Sequence, residues 1–335
     1  MAPYAVFIAI LLLVPAVFTR VPLYTMGNGV HMAILAIAAL GFVPLTGYAG
    51  QISLGQAAFY GIGAYFSAIL TKDATLPSLA AAGLGMLVVG ASAYLLGGLL
   101  FRAEGHYLAL ATLGLGLVVT IIASQAEITG GTEGVIGVAS LAPFGVELYG
   151  DVPFYYLAAG VLLLAVIAVD GLVRSWLGRS LTAVGDSPQA AASVGIHIAA
   201  RKRLAFVVSA VLASAAGSLY AHWTSYVDSH TTDLMLSLQL LIIATVGGLR
   251  SVWGPLIGAF VIVTFLQASQ ESFPQLSEHV GGHAEIVLYG LALILVLLFV
   301  PKGLAGWAGA ALRRGLAPPR PTPEAAPGVI GDHAK

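Results

Sequence analysis

The sequence predicts an all-α polytopic membrane protein with about ten transmembrane or re-entrant helices, within a range of roughly eight to ten. Composition is the first observation: of 335 residues, 59% are hydrophobic and 9% are charged, whereas soluble domains carry about 25% charged residues. The mean hydropathy of +0.94 is the second. Third, apolar runs long enough to cross a bilayer recur from Tyr4 almost to Val300. A water-soluble globule is excluded.

Glycine, proline and charged residues divide the apolar sequence into candidate helices. In chain order these are residues 4–19, 29–47, 51–70, 77–101, 106–124, 153–173, 204–222, 236–249, 253–270 and 285–301. The first resembles a signal-peptide core, but no basic residue precedes it, so we expect an uncleaved helix. The segments 29–47 and 236–249 are the least secure, because short or glycine-interrupted spans need a cavity or neighbouring helices to satisfy their backbone.

The distribution of Lys and Arg predicts the orientation, because cytoplasmic loops carry the excess of both. With the N-terminus inside and an even number of crossings, only Arg20 and Lys72 of the 14 basic residues lie outside. The predicted outer stretches 125–152 and 271–285 contain acidic residues and no Lys or Arg. Both termini are therefore expected in the cytoplasm, and eight crossings with two re-entrant segments fit the count as well as ten crossings.

The chain divides into a transmembrane domain over residues 1–301, with a basic cytoplasmic loop at 174–203, and a tail at 302–335. From Ala317 the tail is rich in Pro and Ala and has no apolar period, so it cannot bury enough surface to offset its ordering entropy. We expect the tail to be cytoplasmic and disordered.

Several kinds of chemistry find no support in the sequence. No Gly-Lys dipeptide occurs, so there is no Walker A loop to bind ATP. The absence of cysteine removes thiolate chemistry, and a net charge of −1 gives no basic face for nucleic acid. His279 and His283 are four residues apart, but intervening glycines favour a solvated loop over a metal site. We expect no cofactor, no metal and no enzymatic activity of this chain alone.

Ion coupling is also disfavoured, because it usually places Asp, Glu or His in mid-membrane. Asp170 is the deepest acidic residue, and it precedes Arg174 by one helical turn. This spacing favours a structural ion pair over a proton relay.

The stretch GYAGQISLGQAAFYGIGAY, residues 47–65, interrupts an apolar segment with glycines and polar side chains. Polar groups at membrane depth are costly unless they line a cavity or contact other helices. One interpretation is a solute pathway lined by Tyr48, Gln51, Ser53 and Gln56. The other is close helix packing over the glycines, with interhelical hydrogen bonds from the polar side chains.

The cytoplasmic loop contains signals for one short surface helix at about 187–194. Asp186 and Ser187 suit an N-cap, Pro188 suits the first turn, and Gly195 suits the end. A short exposed helix on this face has the form of a docking element. A plain connector between two crossings is the alternative.

Four ordered motifs give the chain a resemblance to a known family. QAAASVG at 189–195 resembles the coupling loop E-A-A-x-x-x-G of ABC importer permeases, and residues 47–65 look like the LivM-type branched-chain amino acid permeases. TGGTEG at 129–134 and GGLRSVWGPLIGA at 247–259 extend the similarity in the family's order. Three positions depart from the family's usual pattern: Gln56 replaces His, Gln189 replaces Glu, and Arg250 replaces Gly.

The resemblance implies a multi-pass permease of the bacterial inner membrane that carries leucine, isoleucine or valine. The implied partners are a homologous second permease, two cytoplasmic ATP-binding subunits, an extracytoplasmic solute-binding protein and membrane lipid. The implied ATPase contact involves Gly178, Asp186, Gln189, Ala190, Ala191 and Gly195.

The outer loop at 129–134 admits two interpretations. It is a gate or binding-protein contact, with Glu133 available for a salt bridge, or it is a structural turn; the residues concerned are Thr129, Gly130, Gly131 and Glu133. Two other functions remain open. A permease for urea or short amides would share the architecture, and an ion-coupled carrier or channel would work without ATPases.

Overall fold

The computed structural model describes residues 2–18, 25–72, 76–101, 106–142, 150–272 and 303–306. These ranges are largely helical. In chain order the α-helices are α1 (Ala2–Phe18), α2 (Met26–Leu40), α3 (Gln56–Lys72), α4 (Ser78–Leu100), α5 (His106–Gln125), α6 (Asp151–Arg174), α7 (Trp176–Asp186), α8 (Pro188–Ser193), α9 (Ile198–Thr224), α10 (Leu234–Gly247) and α11 (Gly254–Ser272).

The long apolar helices confirm the predicted class, an all-α polytopic membrane protein. Five of the described helices are long and apolar enough to cross a bilayer: Met26–Tyr48, Ser78–Leu100, Tyr107–Gln125, Asp151–Arg174 and Ile198–Thr224. Shorter apolar helices cover Tyr4–Pro15, Leu234–Gly247 and Gly254–Ala268. The predicted segment 285–301, the histidines at 279 and 283 and nearly all of the tail lie outside the described residues.

Helix α2 lies at the centre of the bundle, against α6, α9, α10 and α11. From Met32 to Leu40 the helix is apolar on every side, and all of these residues are buried. A helix of this kind must be covered all round by other helices. A six-residue π-helix, Val43–Tyr48, continues it and completes the span.

Helices α3 and α9 pack tightly against each other. A Cβ atom at Gly217 would lie 1.9 Å from the carbonyl oxygen of Tyr60, and one at Gly63 would lie 2.4 Å from that of Ser214. Only glycine allows the two backbones to approach this closely, which is the usual basis of tight helix packing in membranes. The pair holds the start of α3 against the middle of α9.

The loops collect at two ends of the bundle. The first, here called the basic end, contains Tyr48, the α7–α8 segment and the turn at Arg250, which contact one another. The second, here called the acidic end, contains β1 (Val135–Ile136) and β2 (Tyr226–Val227), which pair antiparallel with Val135 opposite Val227. The described loops that the Lys and Arg distribution places in the cytoplasm therefore meet at the basic end, and the described loops that it places outside meet at the acidic end.

Two helices begin at other residues than predicted, and one helix was not predicted. Helix α3 begins at Gln56 rather than at residue 51, because Gly50 adopts a positive φ of 67° that ends the preceding helix. Helix α9 begins at Ile198 rather than at 204, so the basic cluster at 201–203 belongs to its first turns. Helix α7 was not predicted; Ser175 caps it by accepting a hydrogen bond from the backbone N–H of Leu177.

Candidate functional site

Residues 49–55 form a non-helical stretch between α2 and α3, here called the broken segment. It begins after Tyr48, at the basic end, and leads to Gln56, the first residue of α3. Gly55 touches Thr112 of α5, and Gln56 contacts Ser209 of α9. Ser209 lies eleven residues from the start of α9, about 16 Å along the helix at 1.5 Å per residue. The segment therefore climbs from the basic end into the bundle.

Side-chain hydroxyls satisfy the backbone of this stretch. The N–H of Leu54 donates to Thr112 Oγ1 over 3.0 Å, and the N–H of Ala57 donates to Ser237 Oγ over 2.9 Å. Thr46 Oγ1 donates to the carbonyl oxygen of Gln51 over 2.8 Å. Irregular backbone at membrane depth is tolerated where protein groups take the place of water in this way.

The structure places Gln51 and Ser53 in this segment and Tyr48 and Gln56 directly before and after it, but it gives the four predicted pathway residues different surroundings. Tyr48 and Gln51 are partly exposed, whereas Ser53 and Gln56 are buried. The amide Nε2 of Gln56 donates to the hydroxyl of Ser209, and Gln51 Nε2 donates to the carbonyl oxygen of Ala49 over 2.9 Å. The Gln56 contact is an interhelical hydrogen bond of the kind that the packing interpretation requires.

A polar cavity of about 400 Å³ lies toward the acidic end, between α2, α3, α9 and the segment that follows β2. Its lining residues are His31, Tyr60, Tyr220, Asp228, His230, Thr231, Asp233, Met235, Leu236 and Gln239. Sequence analysis missed this cavity, because its residues come from positions 31 to 239 and carry no local motif. The interruption of the apolar pattern by Asp228, His230 and Asp233 was the one visible signal.

The chain re-enters the bundle between β2 and α10. A 3₁₀ turn, Ser229–Thr232, follows β2. Thr232 packs against Gly61 of α3: a Cβ at Gly61 would lie 2.1 Å from Cγ2 of Thr232. Helix α10 then spans only 14 residues, about 21 Å. Its N-terminus therefore lies within the bundle, beside the polar cavity.

The loop at 129–134 is a compact turn at the acidic end. Thr129 Oγ1 donates to the carbonyl oxygens of Ala123 and Ala126, over 2.9 and 2.7 Å, which closes the end of α5. Gly130 and Gly131 adopt positive φ, and a Cβ at Gly130 would lie 2.1 Å from the carbonyl oxygen of Gly134. Glu133 is exposed and has no ion-pair partner among the residues that the structure describes.

The short helix predicted at 187–194 is confirmed as α8, Pro188–Ser193. Ser187 Oγ accepts from the N–H of Ala190 over 3.3 Å, and Gly195 follows the helix with a φ of 81°. Gln189 and Ala190 point outward, whereas Ala191 is buried against the rest of the protein. Val194 is 74% exposed.

Helix α7 connects α8 to the bundle. A Cβ at Gly178 would lie 1.9 Å from the carbonyl oxygen of Val173, so glycine permits the sharp turn from α6. The guanidinium of Arg201 lies 4.3 Å from the ring centre of Trp176 and joins α7 to α9. Asp186, the last residue of α7, forms an ion pair with Arg250.

The predicted residues therefore fall into two groups. Tyr48 and Asp186 both contact Arg250, so the broken segment and the α7–α8 segment meet at the basic end. Thr129 to Glu133 lie at the acidic end, near β2: a Cβ at Gly134 would lie 2.3 Å from the carbonyl oxygen of Val227. The role of Arg250 as the link between the first two segments was not predicted.

Comparison with known proteins gives a consistent family. The family described as "branched-chain amino acid transport system / permease component" matches residues 28–300. LivM, a high-affinity branched-chain amino acid transport system permease protein, is 30% identical in Salmonella typhimurium and 29% in Escherichia coli; each match covers 81% of this chain and 67% of the relative. The probable branched-chain amino acid transport permease LivH of Methanocaldococcus jannaschii is 26% identical, over 84% of this chain and 91% of the relative.

No solved structure is detectably similar to the chain. The family match extends from α2 to beyond α11 and includes the broken segment, the polar cavity and α8. The chain therefore belongs to the family of permease components of branched-chain amino acid transport systems.

Proposed function

We propose that the chain forms one half of the translocation pathway of an ATP-driven importer for leucine, isoleucine and valine. The observation that carries the proposal is the family match over residues 28–300, which include the broken segment and the lining of the polar cavity. A polar cavity and a broken helix within an otherwise apolar bundle support it, because such features mark solute and ion pathways in membrane proteins.

The partners follow from the same reasoning. A homologous second permease would complete the pathway, two cytoplasmic ATP-binding subunits would supply the energy, and an extracytoplasmic binding protein would deliver the solute. The protein would lie in the bacterial inner membrane with both termini in the cytoplasm. The basic end would then face the cytoplasm, in accord with the excess of Lys and Arg in cytoplasmic loops.

Helix α8 is the proposed contact with an ATP-binding subunit. Its outward surface is small and uncharged, with Gln189, Ala190 and the exposed side chain of Val194. Gln189 offers hydrogen bonds without a charge. Ala191 faces inward and Gly178 and Asp186 fix α7, so these residues would orient the contact rather than make it.

The pathway would run from the acidic end, past the polar cavity, to the broken segment with Tyr48, Gln51, Ser53 and Gln56. At the acidic end Glu133 would form a salt bridge with the binding protein. The exposure of Glu133, which has no ion-pair partner among the described residues, supports this role.

The decisive test is uptake of radiolabelled leucine into proteoliposomes that contain this chain with its co-encoded partners and ATP inside. We expect Ala190→Glu and Val194→Asp to abolish ATP-driven uptake, because each places a charge on the docking surface without filling a buried position. Ala190→Ser is the matched control and should transport at the wild-type rate. Intact permease assembly is verified by size-exclusion chromatography.

Three outcomes would contradict parts of the proposal. Uptake by this chain without ATP or partners would indicate a carrier or channel. ATP-driven uptake of urea but not of leucine would replace the solute and retain the architecture. Full activity of both charged variants would exclude α8 as the ATPase contact.

A further inference from the structure

We propose that the polar cavity at the acidic end is a binding subsite for the charged head of a zwitterionic α-amino acid, with Asp228 as the partner of its ammonium group. This inference rests on the proposed function and deepens it, because it names the groups that would recognise the solute inside the membrane domain. The site is separate from the broken segment and from every residue in the predicted pathway set.

The charges of the lining favour an ammonium ion. Asp228 and Asp233 both line the cavity, and no Lys or Arg of the described ranges does. Neither carboxylate forms an ion pair within the described ranges. A partly buried carboxylate without a cation is best stabilised by a positive ligand group.

The other end of the amino acid meets the N-terminus of α10. Asp233 is its N-cap, but the Asp233 side chain accepts no hydrogen bond from the helix. The N–H groups of Leu234, Met235 and Leu236 have no partner among the described residues. The end of a 14-residue half-helix inside the bundle thus offers free donors and a partial positive charge to a carboxylate.

Tyr60 provides an independent indication of a ligand. Its side chain lines the cavity although only 2% of the residue is exposed, and its hydroxyl has no hydrogen-bond partner among the described residues. Hydroxyl groups inside a protein normally have a partner. Because Tyr60 lines the cavity, a ligand in the cavity could supply that partner.

The volume and the remaining lining suit an amino acid with an apolar side chain. A cavity of about 400 Å³ lies in the range of small-molecule sites. Met235 and Leu236 contribute apolar surface, and the rings of Tyr60 and Tyr220 lie with their centres 5.9 Å apart in the wall. A solute with a charged head and a short hydrocarbon tail would satisfy both kinds of surface.

The cysteine-free sequence allows a direct test. Met235→Cys places a single thiol of this chain in the cavity wall, at a position that is 39% exposed. The rate at which N-ethylmaleimide modifies it is measured in the complete transporter in nanodiscs, without binding protein. L-leucine should slow the reaction, whereas 4-methylpentanoate, which lacks the ammonium group, should not.

Second-site changes identify the recognising group. In the Met235→Cys background, Asp228→Asn should raise the leucine concentration needed for protection by about tenfold, because it removes a charge-assisted contact. Glu127→Gln, on the same end but outside the cavity, should leave protection unchanged. Ile128→Cys, 70% exposed and also outside the cavity, reports nonspecific effects of leucine on the thiol reaction.

The outcomes separate this inference from the proposed function. Absence of protection by leucine, equal protection by 4-methylpentanoate, or full protection in the Asp228→Asn variant would overturn the subsite, while leucine uptake by the wild-type importer would still support the function. Failure of the wild-type importer to transport leucine would overturn the proposed function.

Discussion

Arg250 and Asp186 are 64 residues apart in the chain, and Nη2 of Arg250 donates to Oδ1 of Asp186 over 2.7 Å. The Nε of Arg250 also donates to the carbonyl oxygen of Gly47 over 3.2 Å, and its own carbonyl oxygen accepts from the hydroxyl of Tyr48 over 3.3 Å. Arg250 thus joins the π-helix that continues α2 to Asp186, the residue that precedes the N-cap of α8. Movement of α8 would reach the broken segment through this arginine.

The first prediction concerns this link. The side chains of Arg250 and Asp186 are 65% and 61% exposed, and exposed ion pairs stabilise a protein by only about 0–1 kcal/mol. Arg250→Gln should therefore leave the melting temperature of the assembled complex almost unchanged. Leucine uptake per ATP hydrolysed should fall by about fivefold, the change that ~1 kcal/mol produces.

Two controls accompany this change. Arg179→Gln removes another exposed arginine from the same end and should have no effect on uptake. The double change Arg250→Asp with Asp186→Arg restores the opposite charges and should recover part of the activity. Wild-type uptake in the Arg250→Gln variant would show that the link does not transmit the movement.

The second prediction concerns the contact between α3 and α9. Gly217→Ala would place a Cβ 1.9 Å from the carbonyl oxygen of Tyr60, so the helices would have to separate. Overpacking of this kind costs about 1–3 kcal/mol. We expect a lower melting temperature and a lower yield of assembled complex, measured by size-exclusion chromatography.

Gly83→Ala is the control for this change. A Cβ at Gly83 in α4 would meet nothing within 4 Å in the described part of the chain. The Gly83→Ala variant should therefore be as stable as the wild type or slightly more stable, because alanine favours the helix. Equal melting temperatures for the Gly217→Ala variant and the wild type would contradict the close packing of α3 and α9.

The third prediction concerns His222, which joins three parts of the acidic end. Its Nδ1 donates to the carbonyl oxygen of Ala139 over 2.7 Å, because a carbonyl can only accept. Its Nε2 therefore accepts from the hydroxyl of Ser67 over 2.8 Å. His222→Phe replaces the imidazole with another aromatic ring and leaves Ser67 and the carbonyl oxygen of Ala139 without this partner. We expect this change to destabilise the protein by about 1–3 kcal/mol.

Thermal unfolding of the purified complex measures this effect, and His197→Phe provides the matched control. His197 is exposed before α9, and its side chain does not cap the helix. We expect no change of melting temperature for the control. A His222→Phe variant as stable as the wild type would show that the two hydrogen bonds contribute little.

The sequence was sufficient to predict the five long described spans and α8, because both leave local signals. Apolar length identifies a span, and Ser187, Pro188 and Gly195 mark the ends of α8 at the positions where the structure has them. Helix α7 was missed because small and polar residues obscure its apolar pattern. Its buried positions, which include Gly178, Leu181 and Val184, do follow a helical period.

The break at residues 49–55 and the polar cavity could not be derived in the same way. Thr112 and Ser237 supply the hydroxyls that make the break tolerable, and they are far from it in sequence. The cavity unites His31 with Asp228 and Gln239, which only the packing of α2, α3, α9 and α10 brings together. Long-range contacts of this kind leave no period or motif in one sequence.

The fourth prediction concerns Asp170, whose structural ion pair with Arg174 is confirmed. Arg174 Nε lies 2.8 Å from its carboxylate, and the hydroxyl of Tyr4 in α1 donates to the same group. Both partners hold the carboxylate in a fixed place, so we expect it to have no role in carrying protons. Asp170→Asn should keep ATP-driven leucine uptake within about twofold of the wild type, because an amide retains hydrogen-bonding groups for both partners.

Asp170→Leu removes those hydrogen bonds and should lower the melting temperature, because it detaches α1 from α6 at this point. Tyr4→Phe removes only one hydrogen bond, so it should lower the free energy of unfolding by a smaller amount, about 1 kcal/mol. Collapse of the proton gradient should not change uptake by any of these variants. Loss of uptake in Asp170→Asn with an unchanged melting temperature would instead assign the carboxylate to proton transfer, and it would favour an ion-coupled carrier over an ATP-driven importer.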